Sequence, residues 1–381
     1  SPHAACGLPA SYGIVPSMQT DWISSLAAGQ WPVFGHSWAV QLLAQAATQQ
    51  TETGRGGETR GPSHAYLLLG APQIGKSTLA RAFAAALLCT DSGARPCHRC
   101  RACQMVARSA HPDVQWFQPR KKLPNKDEDV VDRIDGSILR AQADVLVHEA
   151  ALRPVEGRYR ILIIQDAHRA NEVFQNKVLK TLEEPPPNTI LLLTALDRAG
   201  ILPTIVSRCQ VLDLRPLDTA TVEAALRQGW GVNAEQAALY ARLSNGRLGW
   251  AVDQLADPQN NRQRLDQLRR LWELLPADRV QRLAFAETLA ANRDNRQLFG
   301  LLELWTAWWR DVLLVQSGCA DACSNVDQEA ELQRQAQSLD AEPVRKLLYT
   351  LRRIEGYLHH TVNTRLALDV LVLQLPALPR N

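Results

Sequence analysis

The sequence has 381 residues, more than one ordinary hydrophobic core accommodates, so two or three domains are expected. Hydrophobic residues make up 46% and charged residues 21%, the balance of a soluble globular chain, and no apolar run is long enough to cross a bilayer as a helix. A net charge of +3 excludes a chain built to grip nucleic acid mainly through its own basic surface.

In chain order, residues 1–17, "SPHAACGLPASYGIVPS", lack the charged start and long apolar middle of a secretory signal, and read as a disordered lead-in before Met18. The expected location is the cytoplasm, where thiols stay reduced and eight cysteines point to metal binding before disulfides. Residues 22–50 end in a helical pattern, and "TETGRGGETRGPSHA" is a polar, Gly-rich loop. "AYLLLG" is a short buried strand feeding a Gly-rich turn, and "KSTLARAFAAALLC" is a helix with small and apolar residues on its inner face. Residues 119–135 are charged and unpatterned, an exposed connection. "RILIIQDAH" is a second buried strand. "NEVFQNKVLKTLEE" is a helix, because Phe174, Val178 and Leu182 recur at four-residue steps before Pro185, Pro186 and Pro187 stop it. "TILLLTA" is a third strand. Strands alternating with helices predict an α/β domain over residues 18–215, with a parallel sheet covered on both faces. After Pro216 no strand-like run occurs: residues 216–258 read as a small helical bundle and 259–381 as longer amphipathic helices. Trp305, Trp308, Trp309 and Leu313 crowd one of these helices, and core is the reading favoured for Trp305 and Trp308.

The turn "GAPQIGKST" carries the first chemistry. Gly70, Ala71, Pro72, Gln73, Ile74, Gly75, Lys76 and Ser77 satisfy G-x-x-x-x-G-K-[ST], and Thr78 follows. Glycines let backbone N–H groups turn inward around phosphates, and the helix that starts near Lys76 presents its positive end. Lys76 can reach the β- and γ-phosphates of ATP or ADP, and Ser77 can ligate Mg²⁺. Hydrolysis needs acids on a neighbouring strand as well. Where a strong site would read Asp-Glu after the apolar run, this chain reads Gln165-Asp166. One acid cannot fill both roles, and for Asp166 two readings stay open, a metal role and a cap for the following helix.

The second chemistry is the run "CTDSGARPCHRCRAC". Cys89, Cys97, Cys100 and Cys103 give C-x7-C-x2-C-x2-C, four thiolates able to close a tetrahedral shell around a structural Zn²⁺. His98 lies inside this run as a competing ligand, while Cys6, Cys209, Cys319 and Cys323 form no such constellation. The insert, residues 89–103, is expected to project outward as a scaffold.

The P-loop, the cysteine insert, "VLKTLEEPPPNTILLLTA" and "LPTIVSRCQ", in that order, resemble the bacterial DNA polymerase III clamp-loader family, AAA+ subunits that assemble as a pentamer, open a ring-shaped sliding clamp and place it on primed DNA. The insert is one residue shorter between its first two cysteines than the family pattern. The resemblance covers most of the chain after Met18. It implies an AAA+ domain, a helical lid at 216–258 and an all-α collar at 259–381 that packs against partner subunits, namely gamma/tau and delta, with no membrane contact. Two branches share these motifs. Gln165-Asp166 in place of Asp-Glu, Gly249 where the ATP-sensing arginine of gamma falls (Arg247 is displaced by two), and the C-terminal helices favour the delta-prime branch over an active gamma/tau-type ATPase; the intact P-loop points the other way. The resemblance further implies that Arg208, in "SRC", serves a neighbouring subunit's ATP as an arginine finger in trans, and that Thr194 sits at the sensor position, the alternatives being a surface ion pair and a strand-end hydroxyl that satisfies backbone. A zinc-bearing P-loop module of another DNA-repair or stress machine is the remaining reading.

Overall fold

The computed structural model describes residues 26–48, 52–53, 59–122, 129–131, 137–138, 140–291, 295–358 and 363–378; the expected lead-in and Cys6 lie outside them. The chain forms two units, residues 1–237 with 246–256, and residues 238–245 with 257–381.

The first unit is built on a five-stranded, all-parallel sheet. Its strands are β1 (Ala65–Leu69), β2 (Val114–Phe117), β3 (Arg160–Ile164), β4 (Thr189–Ala195) and β5 (Gln210–Asp213), in the spatial order β2-β3-β4-β1-β5. Every residue of β1, β3 and β4 is buried, as their unbroken apolar runs predict for strands covered on both faces. Alternate residues feed the two layers. Tyr66, Leu68, Ile161, Ile163, Ile190 and Leu192 pack with α1 (Ser37–Thr48), α2 (Lys76–Leu88) and α3 (Arg101–Ala107). Leu67, Leu69, Leu162, Ile164, Leu191 and Leu193 pack with α4 (Arg140–Ala151), α5 (Glu172–Glu183) and α6 (Pro203–Val206). Each fully buried side chain of this size contributes roughly 1.5–3 kcal/mol, so the layers hold the sheet rigid beneath whatever its loops carry.

Two strands escape the sequence reading. β2 ("VQWF") and β5 ("QVLD") are the sheet's edges, and both carry polar residues and are only partly covered. The segment expected to be an unpatterned connection contains a short ribbon instead, Arg120–Lys122 paired antiparallel with Asp129–Val131. The lid segment contributes α7 (Thr219–Trp230), capped by Asp218, the first residues of α8 (Ala234–Leu243), and α9 (Leu248–Ala256).

The second unit is helical: α10 (Pro258–Leu274), α11 (Arg279–Ala291), α12 (Asn295–Gln316), α13 (Glu329–Ser338), α14 (Ala341–Leu358) and α15 (Thr364–Leu373). α12 runs through its core. Trp305, Trp308 and Trp309 are all 0% exposed, so the core reading holds for the first two and extends to the third. Trp308 packs against Trp272 at a ring separation of 5.1 Å and donates its indole N–H to Gln335 Oε1 at 3.0 Å. Arg282 is buried in this unit, where its guanidinium is held by backbone carbonyls. Its Nε donates to Leu274 O at 3.0 Å, and its terminal nitrogens donate to Leu275, Leu375 and Pro376 O at 2.9, 2.7 and 3.0 Å, with Val372 O at 3.5 Å. These carbonyls lie at and just beyond the C-terminal ends of α10 and α15, where regular helical donors run out and the negative end of each helix dipole is presented; Leu274, Leu275 and Val372 O also accept backbone N–H groups from Ala277, Leu378 and Leu375.

Candidate nucleotide and metal sites

The Gly-rich turn leaves the C-terminal end of β1, the second strand from the β5 edge, and ends in the first turn of α2. Ala71, Pro72, Gln73 and Ile74 form the turn and Thr78 lies in that first helical turn. Gly70 and Gly75 have φ of +145° and +106°, conformations that L side chains rarely adopt, and Gln73 is left-handed at 60°. A Cβ on Gly70 would stand 2.5 Å from Leu214 O. Lys76 is 8% exposed and folds its ammonium over the turn, donating to Gly70 O at 2.5 Å and Ala71 O at 2.7 Å. Buried cation, inward glycines and helix N-terminus together form a cradle whose chemistry fits the phosphates of ATP or ADP.

Beside the turn lies a cleft of about 580 Å³ whose walls include Gly35, His36, Trp38, Arg215, Leu217 and Thr221. His36 donates to the backbone of Ile74, and burial pushes its pKa down, so the ring is neutral at pH 7. Its Nε2 is buried without a partner. A neutral imidazole that donates through one nitrogen can accept through the other, so Nε2 is an unused acceptor in a residue of the cleft wall, which also carries Asp213 and Asp218. The sequence reading passed over this residue, because its only local signal is the "FGHS" turn ahead of α1.

The hydrolytic half is occupied differently. Gln165, 2% exposed at the end of β3, donates its amide to Ser77 Oγ at 2.5 Å and accepts from Gln118 Nε2 at 2.7 Å. Gln118 O in turn accepts from Gln142 Nε2 at 3.1 Å. The group that meets the loop hydroxyl is therefore a neutral N–H donor. Mg²⁺ is held through carboxylates and substrate oxygens and gives up its waters reluctantly; these residues do not fit it. Asp166 takes a left-handed backbone with φ of 52°, and its side chain makes no helix-capping bond. Asn171 does that work for α5, accepting from Phe174 N at 2.8 Å, so the capping reading of Asp166 is corrected. Thr194, 0% exposed, accepts from Asp166 N at 3.0 Å, which is the backbone-satisfying alternative.

Gly249 lies against the loop. Its N–H donates to Gln73 O at 2.9 Å, and Gln73 Nε2 bonds Asp253 Oδ2 at 2.6 Å. A Cβ on Gly249 would stand 2.8 Å from Gln73 O and 3.1 Å from Gln73 Cβ, so no arginine fits there without moving the loop or the helix. Arg247 stacks over Trp250 at 5.9 Å, and burial pushes its pKa down to about 10.

Arg208 follows α6 and precedes β5. It pairs with Glu183 at 3.1 Å and donates to Thr204 O at 3.0 Å. Tyr66 lies opposite Gln210 and Leu69 opposite Asp213. At roughly 3.3 Å per residue, the start of the phosphate turn lies about 13 Å further along the strand direction than Gln210. Arg208 and the turn therefore lie toward opposite ends of two neighbouring parallel strands, out of side-chain reach.

The sulfur atoms of Cys89, Cys97, Cys100 and Cys103 lie within 4.8 Å of one another, the one such group of potential metal ligands among the described residues. Four convergent thiols with N–H donors on their sulfurs (Cys100 N to Cys97 Sγ at 3.3 Å, Cys103 N to Cys100 Sγ at 3.4 Å) fit a closed Zn²⁺ shell. His98 is turned away to Gln30 O at 2.6 Å. Burial pushes the Cys89 and Cys103 thiols up; at Cys100 it is outweighed by bonds from Cys103 and Thr90, which bring the thiol to about 6. The expected outward projection is not seen. Cys89, Cys97 and Cys103 are buried in the same apolar cluster as α2 and Tyr66, because α3 folds back on α2 and Gly29 donates to Pro96 O at 2.9 Å.

A parallel sheet of this strand order, with a P-loop beyond β1 and a helix packed against the loop, defines an AAA+ module, and the chain continues into a helical C-terminal unit. The family described as DNA polymerase III, delta subunit matches residues 49–218, and the family described as DNA polymerase III, delta subunit, C terminal matches residues 258–376. DNA polymerase III subunit delta' of Bacillus subtilis is 28% identical over 317 residues, 82% of this chain and 91% of that protein. The Pseudomonas aeruginosa subunit delta' is 36% identical over 149 residues, 39% of this chain and 42% of that protein. The Escherichia coli subunit tau is 29% identical over 198 residues, 51% of this chain and 28% of that protein. The Thermotoga maritima RuvB branch migration motor overlaps 85% of this chain and 78% of that chain at 16% identity and a TM-score of 0.38, too loosely to carry an argument. The chain belongs to the delta-prime family of DNA polymerase III clamp-loader subunits.

Proposed function

We propose that this chain acts as the stator of a cytoplasmic clamp loader: together with gamma/tau and delta subunits it helps load a sliding clamp onto primed DNA, binds ATP or ADP with little turnover of its own, and lends Arg208 to the ATP site of an adjacent subunit. In this reading residues 18–215 form the nucleotide-binding domain, 89–103 a zinc-stapled insert, 216–258 the lid and 259–381 the collar. One observation carries it: the phosphate turn is complete, but the group beside Ser77 is the Gln165 amide, while Arg208 stands toward the opposite end of the strands. A rigid, permanently charged guanidinium suits charge that develops on a transferred phosphoryl group. The ion pair with Glu183 is surface-exposed and worth at most about 1 kcal/mol, so a partner's site can displace it. The cleft beside His36 is the place for the base.

The test is ATP turnover by a reconstituted complex carrying Arg208→Ala. Loss of an arginine finger lowers turnover at the affected site by roughly 10³-fold or more. Zinc content and nucleotide binding by this chain stay unchanged. Brisk hydrolysis by the isolated chain would instead favour the gamma/tau-type reading that the intact loop leaves open.

A further inference from the structure

We infer that the phosphate turn holds its nucleotide without Mg²⁺, and that Gln165 is the residue that sets this. The inference rests on the nucleotide reading above and goes beyond it.

A metal at such a turn needs the Ser77 oxygen to face it and a negative group nearby to compensate its charge. Here the Gln165 amide donates to that oxygen at 2.5 Å, which turns the positive end of an N–H bond toward it. The amide is fixed from behind: Gln118 Nε2 donates to its oxygen at 2.7 Å, and Gln142 holds Gln118 through its carbonyl at 3.1 Å. Gln165 is 2% exposed, so water does not compete for these bonds. Among the described residues no group of three or more acid, histidine or cysteine side chains converges here; the cysteine cluster is the one that forms such a group. Positive charge comes from the protein instead. Lys76, 8% exposed, already bridges Gly70 O and Ala71 O, and a phosphate entering the turn would take over these donors together with the N-terminus of α2. Charge compensation is thus built into the chain, and a divalent cation at Ser77 would meet the Gln165 amide where a carboxylate would have to stand to offset its desolvation.

The experiment measures the affinity of the full, zinc-loaded chain for ATP and ADP by titration calorimetry. Magnesium-free samples are prepared over a chelating resin, so that no soluble chelator strips the cysteine site, and are compared with samples holding millimolar MgCl₂. The expected result is no tightening on adding Mg²⁺: the apparent dissociation constant stays level or rises as Mg²⁺ sequesters the free nucleotide in solution, and Mn²⁺ in place of Mg²⁺ gives no protein-bound metal resonance signal at the nucleotide. Gln165→Asp should gain a Mg²⁺ dependence of about tenfold or more. Mg²⁺ tightening of about tenfold or more in the unaltered chain overturns the inference while leaving the nucleotide reading intact; its loss in Asp166→Asn would then assign the metal to Asp166. Absence of binding under both conditions overturns the nucleotide reading and this inference with it. Because the decisive comparison uses the unaltered chain, a misfolded variant does not rescue the idea.

Discussion

Replacing Arg282 by methionine should destabilise the helical unit by about 3–5 kcal/mol. The guanidinium is 6% exposed and makes four bonds of 2.7–3.0 Å to the terminal carbonyls of α10 and α15, with a fifth acceptor at 3.5 Å. Methionine fills comparable volume but takes the guanidinium donors away: Leu274, Leu275 and Val372 O keep backbone N–H groups from Ala277, Leu378 and Leu375, whereas Leu375 and Pro376 O lose their guanidinium bonds at about 1–3 kcal/mol each before relaxation. Against this stands the recovered desolvation of the cation, the same cost that lowers its pKa. Since the carbonyls remain when the cation goes, the change resembles breaking a buried pair from one side, for which about 3–5 kcal/mol is typical. At roughly 3–5 °C per kcal/mol this is a fall in melting temperature on the order of 10–20 °C, readable by calorimetry or by the fluorescence of Trp272, Trp305, Trp308 and Trp309. Lysine keeps the charge but has three donors in place of five, so Arg282→Lys should fall between. A methionine variant within about 0.5 kcal/mol of the parent would refute the reasoning, because surface-like substitutions lie in that range.

Three more outcomes are expected. Asp113, 0% exposed, accepts from the N–H groups of Val155, Glu156 and Gly157 at 2.6, 2.9 and 2.7 Å, and although burial works to raise its pKa these bonds hold it below the ordinary carboxylate range. Its contribution is therefore fully present above pH ~4 and lost as pH falls through the depressed folded value, so urea unfolding of the first unit should weaken with acidification, and Asp113→Asn should lose about 1–3 kcal/mol at pH 7 and flatten that step. Zinc content should be stoichiometric by atomic absorption and lost in Cys97→Ser, with the first unit's melting lowered by several kcal/mol equivalents, at least about 3, since metal affinity is folding free energy here. Gly249→Ala should cost about 1–3 kcal/mol and weaken nucleotide binding, because its Cβ would meet Gln73 O at 2.8 Å; unchanged binding in that variant would mean that the lid does not need this contact.

The sheet was legible where burial is two-sided. β1, β3 and β4 are continuous apolar runs, whereas β2 and β5 hide because an edge strand tolerates the polar residues of "VQWF" and "QVLD". The phosphate turn and the four cysteines were legible because their chemistry is local, with every ligand type fixed within a short stretch. What the sequence could not display is contact between distant segments. The Gly249–Gln73 bond, the His36 wall of the cleft and the Gln118–Gln165–Ser77 chain each join residues far apart in sequence, and the packing of α3 onto α2 turned an expected projection into part of the core. Of the two readings open for Asp166, the cap fails because Asn171, five residues on, is the acceptor for the helix. The residue pattern shows that one acid of the pair is replaced; the structure shows what the replacing amide does.

The placement of Arg208 has a consequence for assembly. If Arg208 serves a neighbour's nucleotide as proposed, a subunit that offers a guanidinium from one end of its strands and a phosphate turn from the other cannot satisfy both through a twofold axis; the two surfaces differ, and the contact must run head to tail. On that proposal the chain gives an assembly a direction. With an amide in place of one acid of the pair, it would donate along that direction without needing to receive, which suits the terminal position of an open arc better than a place within a closed, equivalent ring.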